Sequence, residues 1–292
     1  MRATTPDIEA TLTRAHSSSS LPWPMLAVLA WRSLVQARYV LLASLFLLAA
    51  FQMILVGQAS ALEEAHSFGR MAEFVPAFLQ RGLGSQSMLL VSFKGTVALG
   101  YFHPVVAILV SVLAIYFATE PAHEVEAGLV DLVLARAVPR RAIVTRSLLL
   151  SAAVILAAVT LMAMGTRLGL WVFASPAFDP PSSAAAARML LHLAAVAACF
   201  AAFALVVSTG AKRWSTSFTS AAIAAVVLYF IDFIALGWPP LRTIAWISPF
   251  HYYPALSILS GTAPVWRNLA ILSSAAAVLT ALAYTRFNRR DL

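Results

Sequence analysis

Charged residues are scarce in this sequence of 292 residues: they make up 11% of it, whereas 61% of the residues are hydrophobic. The mean hydropathy is +0.84. A soluble domain carries roughly 25% charged residues, so this composition excludes a water-facing surface over most of the chain. We therefore expect an integral membrane protein.

Residues suited to catalysis and metal binding are also few. Cys199 is the single cysteine, which excludes an internal disulfide and a cysteine-based metal cluster. Lys94 and Lys212 are the only lysines, and neither follows the glycine spacing that holds nucleotide phosphates. The sequence contains neither H-E-x-x-H nor G-x-S-x-G. We expect a non-catalytic chain with no cofactor or metal of its own.

Long apolar runs, by contrast, are abundant. A helix needs about 20 apolar residues to cross about 30 Å of hydrocarbon, so the runs predict an all-α membrane protein with six spanning helices. Pro104 lies inside the second run and predicts a bend there. The predicted spans are 39–60, 97–118, 145–171, 189–209, 216–236 and 268–285.

The basic residues indicate the orientation of these spans. Six spans place both termini on the same side of the membrane. Of the 20 Lys and Arg residues, 13 fall on that side. The positive-inside rule therefore predicts that both termini are cytoplasmic. The net charge of +8 comes from residues beside the spans, where anionic lipid headgroups, rather than nucleic acid, are the expected partners.

The segments between the spans differ in composition. Residues 1–21 predict a disordered cytoplasmic tail, followed by one membrane domain over 22–292. The amphipathic residues 22–37 predict either a helix on the inner membrane surface or an early start of the first span. The outer loop 61–96 allows short surface helices, and the outer loop 237–267, rich in proline and tryptophan, predicts broken half-helices in the outer leaflet.

One charged segment, ATEPAHEVEAGLVDLVLARAVPRR, separates the second and third spans. Thr119 and Pro121 favour a helix start, with Thr119 as its N-cap, and Pro139 stops that helix, which predicts a separate cytoplasmic helix over about 121–136. At 100° per residue its side chains form two faces. The acidic and small face holds Glu120, Glu124, Gly128 and Asp131, and the apolar face holds Val125, Leu129 and Leu132. Because anionic lipid repels an acidic face, we expect it to contact a cytosolic protein.

This segment resembles the coupling helix of the permeases in the ABC type 2 exporter family, with its pattern E-x-G-T-L-x-L-L-L-x-x-P-V-S-R. Residues in its register are Glu126, Gly128, Leu129, Asp131, Leu132, Val133, Leu134, Val138 and Arg140, with Leu129, Ala137 and Pro139 replacing the usual threonine, proline and serine. WISPFHYYPALSILSG (246–261) resembles the family's S-P-F-x-Y segment, and the end RFNRRDL resembles its R-R-D-L tail. The resemblance covers the whole six-span layout.

The resemblance implies a permease of a bacterial inner membrane that pairs with a separate ABC ATPase. The implied assembly is a homodimer of permeases with two ATPases, which bind ATP and magnesium, and residues 22–37 match the family's connecting helix. The implied ATPase contacts are Glu120, Glu124, Gly128, Asp131, Arg136, Arg140 and Arg141. Val125, Leu129 and Leu132 are expected to pack against the permease. The implied outer gate consists of Ser248, Pro249, Phe250 and Tyr252.

Three functions remain open from the sequence. The first is an ATP-driven exporter, and the second is a mechanotransmitter whose ATPase drives an extracytoplasmic accessory protein, as in relatives that serve the maturation of nitrous-oxide reductase and other copper enzymes. A carrier driven by ion gradients is disfavoured, because few ionisable residues lie within the spans. Arg167, His192 and Asp232 are interpreted as residues near the membrane interface.

Overall fold

The computed structural model describes residues 23–73, 76, 80, 84–128 and 140–289, and every regular element in these ranges is a helix. In chain order the elements are α1 (Trp23–Glu64), α2 (Phe68–Ala72), the 3-10 helix η1 (Gly84–Gln86), α3 (Ser87–Leu90), α4 (Phe93–Phe102), α5 (Pro104–Ala118), α6 (Glu120–Glu126), α7 (Arg140–Phe173), α8 (Ser183–Gly210), α9 (Trp214–Ala235), α10 (Pro239–Ala245), the 3-10 helix η2 (Pro249–Tyr252), α11 (Ala255–Leu259) and α12 (Val265–Asn288).

Six helical stretches are long and apolar enough to cross a membrane: α1, α4 with α5, α7, α8, α9 and α12. The predicted all-α fold with six spans is therefore confirmed. Because successive spans run in opposite directions, α6 lies at the same end of the bundle as the end of α8 and the start of α9. We call this end the α6 face. The opposite end, which carries α10, η2 and α11, we call the loop face.

The second and fourth spans form the centre of the bundle. Of the most apolar 18 residues in α8, 61% are buried, and in α4 with α5 the buried fraction is 56%. The corresponding buried fraction is 17% in α9 and 22% in both α1 and α12. Alanines of α8 such as Ala197, Ala201 and Ala204 are almost fully buried, and side chains this small let neighbouring helices approach closely. The large apolar residues of α1, α9 and α12 consequently cover much of the outer surface.

The second span is interrupted where the sequence predicts a bend. His103 separates α4 from α5 with φ −55° and ψ 134°, which is not a helical conformation, and Pro104 begins α5. A residue before proline is driven away from helical geometry, while proline itself fits the first turn of a helix. The predicted bend at Pro104 is confirmed.

The first span begins earlier than its apolar run. α1 is one continuous helix of 42 residues, about 63 Å long at 1.5 Å per residue, and it includes most of the amphipathic segment 22–37. This length is about twice the hydrocarbon thickness, so α1 reaches beyond it. Of the two interpretations of 22–37, the structure supports a helix that continues directly into the span.

The segments at the loop face contain short helices, as the outer loops predict. Around residues 61–96 these are α2, η1 and α3, and in 237–267 they are α10, η2 and α11. Phe250 and Ile258, from η2 and α11, are 5% and 1% exposed, so this second group packs into the bundle. Its insertion into a lipid leaflet stays a prediction.

The predicted coupling helix is shorter than expected. α6 ends at Glu126, and Gly128 has a φ of +64°, a conformation that glycine adopts easily and that commonly terminates helices. A single continuous helix over 121–136 is therefore wrong. The sequence pattern places Gly128 on the small face of a longer helix, whereas its backbone ends the helix. The remaining positions of that predicted helix, 129–136, lie outside the described residues.

Candidate functional site

The chain changes direction at Thr119, between α5 and α6. The Thr119 N–H donates to the Ile115 carbonyl, which closes α5, and Pro121 lies in the first turn of α6. The predicted position of Thr119 at the start of α6 is confirmed, but its hydroxyl does not cap that helix. It donates instead to the Tyr116 carbonyl at 2.9 Å. Thr119 is fully buried, so this turn is part of the packed interior.

Ser208, near the end of α8, bridges both sides of this turn. Its hydroxyl accepts a hydrogen bond from the Ala122 N–H at 2.9 Å and donates one to the Thr119 carbonyl at 3.1 Å. Ser208 is fully buried, and its two bonds add to the direct hydrogen bond from the Ala122 N–H to the Thr119 carbonyl at 3.1 Å. The hydroxyl therefore fixes α6 to α8.

Trp214, the first residue of α9, makes a second connection to the same turn. Its indole Nε1–H donates to the Thr119 hydroxyl at 3.0 Å, and its backbone N–H donates to Glu126 Oε2 at 2.8 Å. A carboxylate at a helix N-terminus is stabilised by the helix dipole and by the unpaired N–H groups there. Glu126 thus fastens the end of α6 to the beginning of α9.

A buried ion cluster joins α6 to two further spans. Arg146 of α7 is 2% exposed, and its guanidinium donates to Glu124 Oε1 through Nη1 and, at 3.5 Å, to Glu120 Oε2 through Nη2. Ser33 of α1 donates its hydroxyl to the same Glu120 oxygen at 3.2 Å. We call Ser33, Glu120, Glu124 and Arg146 the elbow cluster. Two carboxylates share one arginine, so the cluster carries one net negative charge when all three groups are ionised.

Burial dominates the electrostatics of Glu120. Loss of water raises the pKa of its carboxyl above the ordinary value, while Arg146, His123 and the Ser33 hydroxyl act in the opposite direction. The nearby Glu124 carboxylate adds a smaller upward effect on that pKa. Removing charged groups from water is costly, so the arginine is what makes this burial possible.

The acidic side chains of α6 point differently from the sequence-based expectation. Glu124 is 5% exposed and faces Arg146, and Glu120 is directed to the same arginine, so both lie on the inner side of α6. Val125 is half-buried against the apolar core, as expected. Ala127, Gly128 and Arg141 are exposed at the α6 face. Which residues contact an ATPase stays a prediction.

Several of the predicted site residues cannot be placed in this arrangement. Leu129, Asp131, Leu132 and Arg136 lie outside the described residues, and only the backbone of Arg140 is described, at the start of α7. The residues that the sequence analysis missed are Ser33, Ser208 and Trp214, together with the central role of Arg146. The sequence signal for Arg146 is weak: it lies at the start of the predicted third span, among the 13 basic residues on the expected cytoplasmic side.

The described part of the tail motif, residues 286–289, lies beside the end of α8. Arg286 and Arg289 of α12 line an open groove of about 460 Å³ together with Thr209, Gly210 and Thr285. A Cβ atom added to Gly210 would lie 2.8 Å from an Arg286 nitrogen, so the guanidinium packs closely on this glycine. This groove adds positive charge to the α6 face.

The predicted outer gate is anchored at the loop face. The Ser248 hydroxyl donates to the Leu228 carbonyl at 2.9 Å and accepts from the Phe250 N–H at 3.2 Å, which holds Pro249 at the start of η2. The Phe250 ring packs against Phe200 and Tyr229, at centroid distances of 5.3 and 5.2 Å, and Tyr252 is half-buried beside the core. A gating role for these residues stays a prediction.

Polar groups within the spans are bonded to one another near the break in the second span. Gln52 Nε2 donates to the Gly100 carbonyl at 2.6 Å, and the Thr166 hydroxyl donates to Gln52 Oε1 at 3.2 Å. The Tyr101 hydroxyl donates to Thr166 at 2.9 Å, and the Tyr253 hydroxyl donates to the Tyr101 carbonyl at 3.2 Å. This network joins α1, α4, α7 and the loop-face segment. Within the described parts of the chain, no group of three His, Cys, Asp or Glu side chains could hold a metal.

Comparison with known proteins bears directly on this architecture. Residues 26–292 match the family model described as "ABC-2 family transporter protein", which covers nearly the whole chain. The chain therefore belongs to the ABC-2 transporter family and is an ABC-2 type permease. A comparison with curated proteins finds no match to the chain.

Proposed function

We propose that this ABC-2 permease is the membrane subunit of an ATP-driven exporter and that α6 transmits motion from a separate ATPase to the spans. Membership of the family supports a multi-pass permease that pairs with an ABC ATPase. The proposed assembly is a homodimer with two ATPases in a bacterial inner membrane, with the α6 face in the cytoplasm. ATP and magnesium would bind to the ATPases.

The observation that carries this proposal is the set of bonds between α6 and four spans. The elbow cluster connects α6 to α1 and α7, Ser208 connects it to α8, and Trp214 connects it to α9. At the same time, the end of α6 from Glu126 to Gly128 is exposed. A short helix that is fixed to four spans and open on its other side can transfer a push from a partner to the bundle. Such rigid-body motion of packed helices is a common form of conformational change.

ATP binding would bring the two ATPases together and move the α6 elements that contact them. The spans would follow, because the buried bonds of α6 are more costly to break than a rigid movement of packed helices. The Arg286 and Arg289 groove lies at the same face and offers positive charge for acidic groups of the ATPase.

Co-purification with the ATPase tests this docking surface. Ala127→Trp places a bulky ring on the exposed end of α6, and we expect it to reduce the amount of ATPase retained by the detergent-purified chain about tenfold or more. The matched control is Met88→Trp, an exposed position of the loop face, which should retain the ATPase like the unmodified chain. Equal retention by both variants would contradict docking at α6.

A second function, mechanical transmission to an extracytoplasmic accessory protein, is favoured by the bonded network inside the spans. In a single chain, Gln52, Tyr101 and Thr166 are joined by hydrogen bonds that tie three spans together. Reconstitution in vesicles distinguishes the two functions. Exporter function predicts ATP-dependent movement of a lipid-like cargo by the complex alone, whereas a transmitter hydrolyses ATP without cargo movement and responds to the accessory protein.

A further inference from the structure

An open cavity of about 190 Å³ lies between α7 and α8 near the loop face. It is lined along one face of each helix, where Ala163, Ala186 and Ala187 leave space between the backbones. One water molecule occupies about 30 Å³ in the liquid, so the cavity has the volume of roughly six water molecules. That is enough for a phosphate group with its ester linkages.

Arg167 supplies the charge of this cavity. No carboxylate of the described residues forms an ion pair with its guanidinium. The acid of the adjoining α7–α8 connection, Asp179, pairs with Lys94 at 3.6 Å instead. A cationic side chain within a membrane span is costly unless it finds an anionic or polar partner. No acid among the described residues supplies such an anion, and the exposed Arg167 side chain is open to a partner from outside the chain.

The depth of Arg167 matches that of lipid phosphates. It lies six residues before the end of α7 at Phe173, which corresponds to about 9 Å along the helix. The polar headgroup layer on each side of a bilayer is roughly 5–8 Å thick, so the guanidinium is positioned near the boundary between headgroups and hydrocarbon. Trp171, 82% exposed, lies one turn further out and fits the same interfacial layer.

The other lining groups complete a phosphate-binding geometry. The Tyr101 hydroxyl donates its proton to Thr166, so the donors left at the cavity are the Arg167 guanidinium and the Ser183 hydroxyl. Ser183 begins α8, whose 28 residues place a positive dipole end beside the cavity. Next to Arg167, the exposed Leu168 and Val172 offer an apolar surface for an acyl chain. The cavity is therefore lined by a cationic and polar group at one end, and an apolar surface lies next to it.

We propose that this cavity binds the phosphate headgroup of an anionic membrane lipid, with Arg167 as the charged contact. The site is separate from the α6 docking surface and does not depend on the proposed export function. A zwitterionic lipid fits less well, because its own cation would approach Arg167 and the positive end of α8.

Native mass spectrometry of the full-length chain in detergent tests this site. The probes are phosphatidylglycerol, phosphatidylcholine and inorganic phosphate. We expect phosphatidylglycerol to bind about tenfold more tightly than phosphatidylcholine and Arg167→Gln to weaken its binding about tenfold, since a charge-assisted hydrogen bond is lost. Arg167→Lys should retain part of the affinity because it keeps the charge.

The matched control is Arg188→Gln, an exposed arginine near the same end of α8 that does not line the cavity. It should leave phosphatidylglycerol binding within about twofold of the unmodified chain. Ala187→Phe fills the cavity without changing its charge and should weaken phosphatidylglycerol binding as Arg167→Gln does. If Arg167→Gln does not purify, the binding measured for Ala187→Phe tests whether the lipid occupies the cavity.

Unchanged lipid binding in Arg167→Gln or in Ala187→Phe would overturn the proposal. Equal binding of phosphatidylcholine and phosphatidylglycerol would also overturn it. Displacement of phosphatidylglycerol by millimolar inorganic phosphate would assign the cavity to a free anion and contradict the lipid assignment.

Discussion

Arg146 is the residue on which the arrangement around α6 depends. It is 2% exposed and contacts both carboxylates of the elbow cluster, and without it Glu124 would be a buried and unpaired charge. Breaking such a pair from one side costs far more than replacing the whole pair by neutral groups. The arginine therefore determines both the position of α6 and the stability of this end of the bundle.

We predict that Arg146→Ala destabilises the protein by about 3–5 kcal/mol, the cost of leaving one partner of a buried ion pair alone. Arg146→Met combined with Glu124→Gln should recover a large part of this loss, since no buried charge then remains at position 124. The measurement is thermal unfolding of the purified chain in detergent. A double variant as unstable as Arg146→Ala would argue against a charge effect.

Glu120 gives the same cluster a dependence on pH. Because burial raises the pKa of Glu120 in the folded chain, the folded state binds a proton more tightly than the unfolded state. Its contribution to stability is therefore fully present below the ordinary pKa of 4.5 and is lost as the pH rises through the raised pKa.

Glu120→Gln should remove this loss of stability with rising pH. Ser33→Ala deletes a hydrogen bond that lowers the pKa of Glu120, so the loss of stability should occur at higher pH in this variant. The measurement is the thermal unfolding midpoint of the unmodified chain, Glu120→Gln and Ser33→Ala as a function of pH, from pH 4 upward. If the midpoint of Glu120→Gln changes with pH as it does in the unmodified chain, this carboxyl is not the cause.

The elements differ in how far the sequence determines them. The six spans and the break before Pro104 follow from local properties, namely the length of apolar runs and the restricted geometry around proline. The inner orientation of Glu124 does not, because its partner Arg146 belongs to another helix and the sequence does not indicate that the two faces meet. The end of α6 was missed because Gly128 fits both a small helix face and a helix terminus.

Gly128 allows a prediction about α6 itself. With a φ of +64°, Gly128→Ala should cost roughly 1 kcal/mol, although an added Cβ would meet no neighbouring atom. Gly128→Asn should cost less, because asparagine tolerates this conformation. Gly69→Ala, in the helix α2 and also without a nearby atom, is the control and should not destabilise the chain. An equal loss of thermal stability in Gly128→Ala and Gly69→Ala would contradict the assigned helix end.

At the scale of the whole molecule, the bundle has a packed centre and a sparsely buried periphery. α8 lies at the centre and contacts most other spans, whereas α1, α9 and α12 expose large apolar side chains. α6 is bonded to the central span and to three others. Motion delivered to α6 would consequently reach both the centre and the periphery of the bundle.

In the proposed mechanism, ATP binding moves α6 together with the span ends to which it is bonded, and the spans tilt relative to the loop face. In a Cys199→Ala background, spin labels at His123→Cys and Arg32→Cys report the distance between α6 and α1, His123 being half-buried and Arg32 exposed. Labels at His123→Cys and Trp246→Cys report the distance across the bundle to the loop face. Pulsed electron paramagnetic resonance of the complex, with and without trapped ATP, compares the two.

If α6 moves with the span ends, the distance from α6 to α1 stays constant while the distance from α6 to the loop face changes on ATP trapping. A changed distance from α6 to α1 with an unchanged distance to the loop face would mean that α6 swings independently of the spans, and it would rule out this mechanism.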